Sequence, residues 1–297
     1  MNKIELFIAF WNVNLSPPIG SKWNKSPDSK RESIAKVIDA MLDKNLDFLC
    51  LCEISPEDLN YIDQSISIIQ KGYDYKIKYE SLNGLYFDTC VIYKKSFEFI
   101  RMKTQTDGES RDKIKAYQKY EFVNTYLNER IILYVAHWLS KLRDNSERRR
   151  SVASYTRKDV LDEIEISNNT KFIILGDFNV EPYDTSILNG LRSTRDKNVI
   201  KINPSLFYNP YWKFLPIQKE LPSGTLYYSK EEYHHWHIFD QILFSGNFFK
   251  DGWELEDKNV QILDEAALIA LNKDIITNPS DHLPVLAKLE KNNEFQS

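Results

Sequence analysis

The sequence predicts an α/β fold in which two packed mixed sheets are flanked by helices. Short apolar runs ending in a polar residue alternate with amphipathic helical patterns, and between these units lies a stretch of strands without helices. In addition, no linker, low-complexity tract or repeat of 20 to 50 residues interrupts the chain, so a single domain over residues 1–297 is expected.

The run 4–11 is apolar but only eight residues long, is interrupted by Glu5, and leads into Asn12-Val13-Asn14 rather than a small-residue cleavage site. It reads as a strand and not as a signal peptide. Ile34, Val37, Ile38, Met41 and Leu42 then recur at offsets 0, 3, 4, 7 and 8, one face of a helix. A strand over 46–52 follows, then Ser55-Pro56-Glu57-Asp58, which combines an N-cap, a proline at the first helical position and an acidic first turn. Residues 73–79, 85–93, 97–104 and 115–127 read as successive strands, the last turning at Asn128-Glu129 into a strand over 131–136. Ser146 is expected to cap the next helix, with an apolar stripe of Ala153, Val160, Leu161 and Ile164. Strands over 171–175, 238–244 and 285–289 complete the sheets, and the tail 291–297 is expected to be flexible.

Composition removes several function classes. Nine glycines and eleven prolines in 297 residues, with 42% hydrophobic and 13% aromatic residues, exclude disordered and collagen-like chains. The glycines write neither G-x-G-x-x-G nor G-x-x-x-x-G-K, which excludes Rossmann and P-loop nucleotide binding. Cys50, Cys52 and Cys90 form no C-x-x-C pair and suggest free thiols in a reducing compartment rather than a zinc-thiolate site. No stretch approaches the ~20 apolar residues of a membrane span. No membrane contact and a cytoplasmic location are therefore expected. The net charge of −4 hides an asymmetry, since residues 141–158 carry seven Lys/Arg against two acids whereas 251–297 carry four lysines against ten acids.

In open α/β sheets the binding crevice lies beyond the carboxyl ends of the strands. The residues that end the four helix-linked strands are Asn12, Glu53, His137 and Asp177. Asp240 on the strand 238–244 and Ser280-Asp281-His282 before the last strand supply similar groups. Taken singly, Glu53 reads more readily as a cap or ion-pair partner than as a ligand, Asn12 more readily as a turn former, and His137 equally as a core histidine. As an ensemble of oxygen donors and imidazoles without thiolates, they suit hydrolysis of a phosphate ester with a hard divalent cation, Mg²⁺ or Mn²⁺.

The segments Phe10-Trp11-Asn12-Val13-Asn14, Leu51-Cys52-Glu53, Ala136-His137-Trp138, Gly176-Asp177-Phe178-Asn179, Phe239-Asp240-Gln241 and Ser280-Asp281-His282 occur in the order seen in the endonuclease/exonuclease/phosphatase superfamily, which the chain resembles over nearly its whole length. The resemblance implies a four-layer α/β/β/α sandwich and a divalent-metal-dependent phosphodiester hydrolase. It further implies Glu53 as the principal metal ligand with Asn12 beside it and Asp281 as a further ligand. Asp177 resembles the residue that polarises the attacking water, Asn179 the amide that holds the phosphate, and His282 the imidazole on the scissile phosphate, oriented by Asp240. His137 matches the deoxyribonuclease-like branch, where a histidine protonates the leaving oxygen. Two features depart from the common pattern. Cys52 stands where a glutamine often precedes the metal-binding glutamate, and His234, His235 and His237 cluster before Asp240, reading as surface or stacking residues rather than a second metal site.

Substrate clues are local. Arg150 and Arg157 lie in line with Ala153 on the basic helix, which is expected to bring Arg150 near the sheet and both toward a phosphate. The aromatic stretch from Tyr208 and Trp212 to Tyr227, Tyr228, Tyr233 and Trp236 is expected on the opposite wall, with Asn14 also against substrate. An endonuclease acting on DNA is the expected function. The alternatives are a phosphatase or phosphodiesterase of small-molecule or lipid phosphoesters, and a non-catalytic binder of the same fold.

Overall fold

In the computed structural model, residues 3–15, 26–78, 80–82, 85–108, 114–140, 145–216 and 222–292 are described. The principal elements are β1 (Ile4–Asn12), α1 (Asp28–Leu42), β2 (Phe48–Cys52), α2 (Pro56–Ile66), β3 (Tyr73–Ile77), β4 (Cys90–Lys94), β5 (Phe97–Asp107), β6 (Ile114–Asn124), β7 (Glu129–His137), α3 (Ser146–Ile166), β8 (Lys171–Asp177), β9 (Asp240–Ser245) and β10 (Val285–Lys291). The first sheet runs Trp253–Glu254, β10, β1, β2, β4, β3, and the second runs Ser193–Thr194, Phe207–Tyr208, β9, β8, β7, β6, β5.

Three buried clusters define the layers. One fills the space between the sheets, where the Phe48 ring meets Phe97 and Phe122 at 4.5 and 5.0 Å. A second joins the outer face of the first sheet to α1 and α2, and a third joins the second sheet to α3. The result is the expected α/β/β/α sandwich. Ile34, Val37, Ile38, Met41 and Leu42 are all buried on α1. Ser55 caps α2 in a full capping box, its side chain accepting from the Asp58 N–H while Asp58 accepts from the Ser55 N–H.

Several details of the sequence reading change. The residue preceding α3 is Asn145 rather than Ser146, and it makes no side-chain cap. The face of α3 that packs on the sheet is Arg149, Val152, Ala153, Thr156, Val160 and Glu163, rotated from the expected stripe so that Leu161 is exposed. The strand expected over 85–93 is two strands, Leu85–Phe87 and β4, with Asp88 and Thr89 between them. Lys291 closes β10 instead of opening a tail. Tyr79, Lys141, Arg143 and residues 293–297 lie outside the described residues.

Candidate active site

Strand register assembles the site. In the parallel pair β1–β2, Asn12 stands opposite Cys52, which sets it beside Glu53. In the second sheet Asp177 of β8 pairs in register with His137 of β7 on one side and Asp240 of β9 on the other. β9 and β10 run antiparallel to their neighbours, so Asp240 and Ser280-Asp281-His282 reach the same edge from the amino ends of their strands. Gly176 permits the close approach of β8 to β7, because a Cβ there would lie 2.0 Å from the Ala136 carbonyl oxygen.

Asn12 links the two sheets. Its Nδ2 donates to Glu53 Oε1 at 2.9 Å and to Asp177 Oδ2 at 3.2 Å, while its Oδ1 accepts the Asn14 N–H at 3.0 Å. Asn12 thus presents donors, not an oxygen, to the carboxylates around it, and this is the hold on Glu53 that Cys52 does not supply. Asn14 reaches away from this centre, its Nδ2 donating to the exposed Asp281 at 2.8 Å.

His282 and Asp240 form a buried pair, Nδ1 to Oδ2 at 2.8 Å, with Asp177 Oδ2 3.8 Å from His282 Nε2. Burial opposes the imidazolium, yet the carboxylates of Asp240 and Asp177 prevail and raise the His282 pKa. Burial pushes Asp240 upward as well, against the pull of His282. The backbone around the pair is held by residues that no motif announced. The Trp11 indole donates to the His282 carbonyl at 3.0 Å, Ser280 Oγ donates to the Asn12 carbonyl at 2.7 Å, and buried Thr225 Oγ1 accepts from the N–H groups of Phe239 and Asp240, each at 3.1 Å.

His137 lies between two acids, with Nδ1 3.4 Å from Asp88 and Nε2 3.5 Å from Glu53. Burial and the Lys115 charge disfavour its cation, but Asp88 and Glu53 outweigh them and raise its pKa. Asp88 resists burial through His137 and Lys115 and is held down at about 2. Asp88 and Lys115 were missed in the sequence because Asp88 sat inside what read as one strand.

Three residues of this edge, Asn14, Glu53 and Asn179, have positive φ of 48°, 55° and 53°. Asparagine tolerates that region, whereas glutamate does so at a penalty that clusters at functional sites. The turn at Asn179 is closed by its own N–H on Asp177 Oδ1 at 2.9 Å, and its Nδ2 donates to the Trp138 carbonyl at 3.0 Å.

The donor set fits a hard divalent cation. Asp240 Oδ1 is buried with no hydrogen-bond partner among the described residues. Among the described residues, Asp177, Asp240 and His282 form a group whose donor atoms lie within 4.8 Å of one another. Asp240 accepts the hydrogen of His282 Nδ1, and the neighbouring carboxylates favour the imidazolium, so His282 is a poorer metal ligand than the carboxylate oxygens beside it. Cys50, Cys52 and Cys90 are buried free thiols, and burial raises the thiol of Cys52 beside Glu53.

The expected substrate residues are less concentrated. The arginine buried against the sheet is Arg149, while Arg150 is exposed and donates to Thr185 Oγ1 at 2.9 Å. Arg157 lies about two helical turns farther along α3 and donates to the Ser205 carbonyl. Ser205 precedes Leu206, whose carbonyl accepts from Gly246 just past the end of β9, so Arg157 stands at the far end of the sheet. Tyr208 and Tyr211 are core residues, whereas Tyr227, Tyr228, Tyr233 and Trp236 are exposed. Trp212 packs edge-on to Tyr183 at 6.5 Å and carries Arg195 over its ring at 4.9 Å. His234 and His235 are exposed, while His237 is buried, stacked on Phe239 and bonded to Glu181 and Glu231.

The family model of the Endonuclease/Exonuclease/phosphatase family matches residues 12–291. A search of curated proteins finds no match. Among solved structures, the chain is similar to an endonuclease/exonuclease/phosphatase family protein from Bacteroides thetaiotaomicron, at 15% identity and a TM-score of 0.66, over 99% of this chain and 100% of that one. It is also similar to TDP2 from Caenorhabditis elegans, at 17% identity and a TM-score of 0.61, over 96% of this chain and 74% of that one. The human Nocturnin catalytic domain, with a bound sulfate anion, aligns at 15% identity and a TM-score of 0.62, over 98% of this chain and 97% of that one.

Proposed function

Because the chain belongs to the Endonuclease/Exonuclease/phosphatase family and is a phosphoesterase by that membership, we propose that it is a divalent-metal-dependent phosphodiesterase acting on nucleic acid, an endonuclease of DNA. The observation that carries this reading is the joining of both sheets through Asn12, which brings Glu53 and Asp177 together beside the buried Asp240–His282 pair.

Glu53 would hold Mg²⁺ or Mn²⁺, with Asp281, bonded to Asn14 farther out, as a further ligand, and the ion supplies positive charge against a phosphoryl oxygen when bound. Asp177 takes the proton of the attacking water. His282, kept cationic by Asp240, donates to the phosphate and favours the charge that develops there. His137, its cation favoured by Asp88 and Glu53, protonates the departing oxygen. Asn179 stands in the turn after Asp177, against the phosphate.

The test is a metal-supplemented screen of duplex and single-stranded DNA, RNA, phosphomonoesters and lipid phosphodiesters. Cleavage of DNA within the strand supports the reading. If every polynucleotide stays intact while an inositol phosphate or lipid phosphodiester is hydrolysed, the enzyme is a small-phosphoester hydrolase instead.

A further inference from the structure

Four arginines on the rim of the second sheet have no carboxylate partner among the described residues: Arg150 and Arg157 on α3, and Arg192 and Arg195 on the segment that follows the short π-helix Ser186–Gly190. Their contacts are neutral. Arg150 donates to Thr185 Oγ1, Arg157 to the Ser205 carbonyl, and Arg195 lies over Trp212. Burial and the Arg192 charge together lower Arg157 to about 10. Lys119 and Arg130, by contrast, are paired with Glu163.

Between α3 and the π-helix lies a cavity of about 420 Å³ lined by Arg150, Ser154, Thr185, Asn189 and Gly190. Every side chain of that lining that carries a polar group can donate a hydrogen bond, and none is a carboxylate. The backbone that shapes it is unusual in two places. The π-helix is a rare form enriched at functional sites, and Arg192 just beyond it has φ of 60°.

We propose that this rim is a track for the phosphodiester backbone of a polynucleotide, with one phosphate seated in the Arg150–Ser154–Thr185–Asn189 cavity and others on Arg157, Arg192 and Arg195. The proposal rests on the nuclease reading for its purpose and goes beyond it by placing a grip away from the catalytic edge. Thr185 follows Asn179 by so few residues that the cavity lies within ~20 Å of that turn at full extension. That distance is roughly six nucleotides at the rise of ~3.4 Å per phosphate along one strand. A strand of that length or longer spans the catalytic edge and the track together.

The test reads binding of a fluorescein-labelled single-stranded DNA of ~20 nucleotides by anisotropy in EDTA. For Arg192→Ala/Arg195→Ala, affinity for this probe should fall about tenfold, and the log-log salt slope should become shallower by about 1.4, the loss of two single-strand phosphate contacts. The melting temperature should stay as in the native chain. Arg192→Lys/Arg195→Lys should retain the slope. An unchanged slope and affinity in the alanine variant would overturn the track. Failure of the nuclease reading shows separately, as metal-loaded native protein that cuts no polynucleotide, and it leaves the binding result standing.

Discussion

His282 Nδ1 lies 2.8 Å from Asp240 Oδ2, and both side chains are buried. An imidazole so held carries one proton on the carboxylate side and turns its other nitrogen toward Asp177 and the open edge. Neither partner can be changed without altering the charge state of the other.

His282→Ala is therefore expected to lower turnover by on the order of 10²-fold or more. Asp240→Ala should do nearly the same, and the double variant should be little worse than either single one, because residues that act as a unit are not additive. Steady-state rates for the four proteins, with melting curves to establish folding, check this. Multiplying effects would separate the two residues.

Glu53→Gln is expected to weaken Mn²⁺ binding and activity together, since it removes the charge of the principal oxygen donor. Chelation should abolish native turnover and added Mg²⁺ or Mn²⁺ should restore it. Asn12→Ala leaves the carboxylate in place but releases its orientation, so metal affinity should fall roughly 10- to 100-fold. Calorimetric titration of Mn²⁺ into the three proteins measures both effects. Native metal affinity in Glu53→Gln would remove Glu53 from the ligand set.

If His137 protonates the leaving oxygen, the need for it depends on how basic that oxygen is. An activated aryl phosphodiester should rescue His137→Ala by far more than it rescues Asp177→Ala, which lacks the group acting on water. Rates on an activated and an unactivated diester decide the matter. Equal rescue of both variants would leave His137 a phosphate-binding or structural role.

His237 offers a pH test away from the catalytic edge. Its hydrogen bond to Glu181 raises its pKa, with burial opposing and Glu231 adding to the rise. The folded state therefore holds the proton more tightly than the unfolded chain, whose histidine titrates near ~6.5. The stabilisation is fully present below that pH and is lost as pH rises through the higher folded value. The melting-temperature advantage of the native chain over His237→Gln should shrink from mildly acidic to alkaline pH, and a gap independent of pH would refute the assignment.

How much of this was legible in the sequence depends on the kind of signal. Asn12, Glu53, His137 and Asp177 were visible because each ends an apolar run, and the end of a run is where a sheet meets solvent. Asp240 and His282 could be set at the same edge, but their 2.8 Å pairing depends on two antiparallel strands whose register no local pattern carries. Asp88 was hidden by an apolar stretch that continues after a two-residue break. The choice of Arg150 over Arg149 failed by one position, about 100° around a helix. The stripe that packs on the sheet is set by Val152, Thr156 and Val160, and two polar ends, Arg149 and Glu163, were not counted as part of a buried face.

On the role proposed for Glu53, its left-handed backbone sets function and robustness against each other. A residue with a side chain held in that region is penalised by roughly 1–3 kcal/mol, and glycine is relieved of it. Glu53→Gly would thus ease the main chain at the moment it deletes the carboxylate. Heat tolerance and catalysis pull in opposite directions there, so directed evolution scored on survival of heating alone would drift toward inert proteins, and any such campaign must carry turnover in its selection.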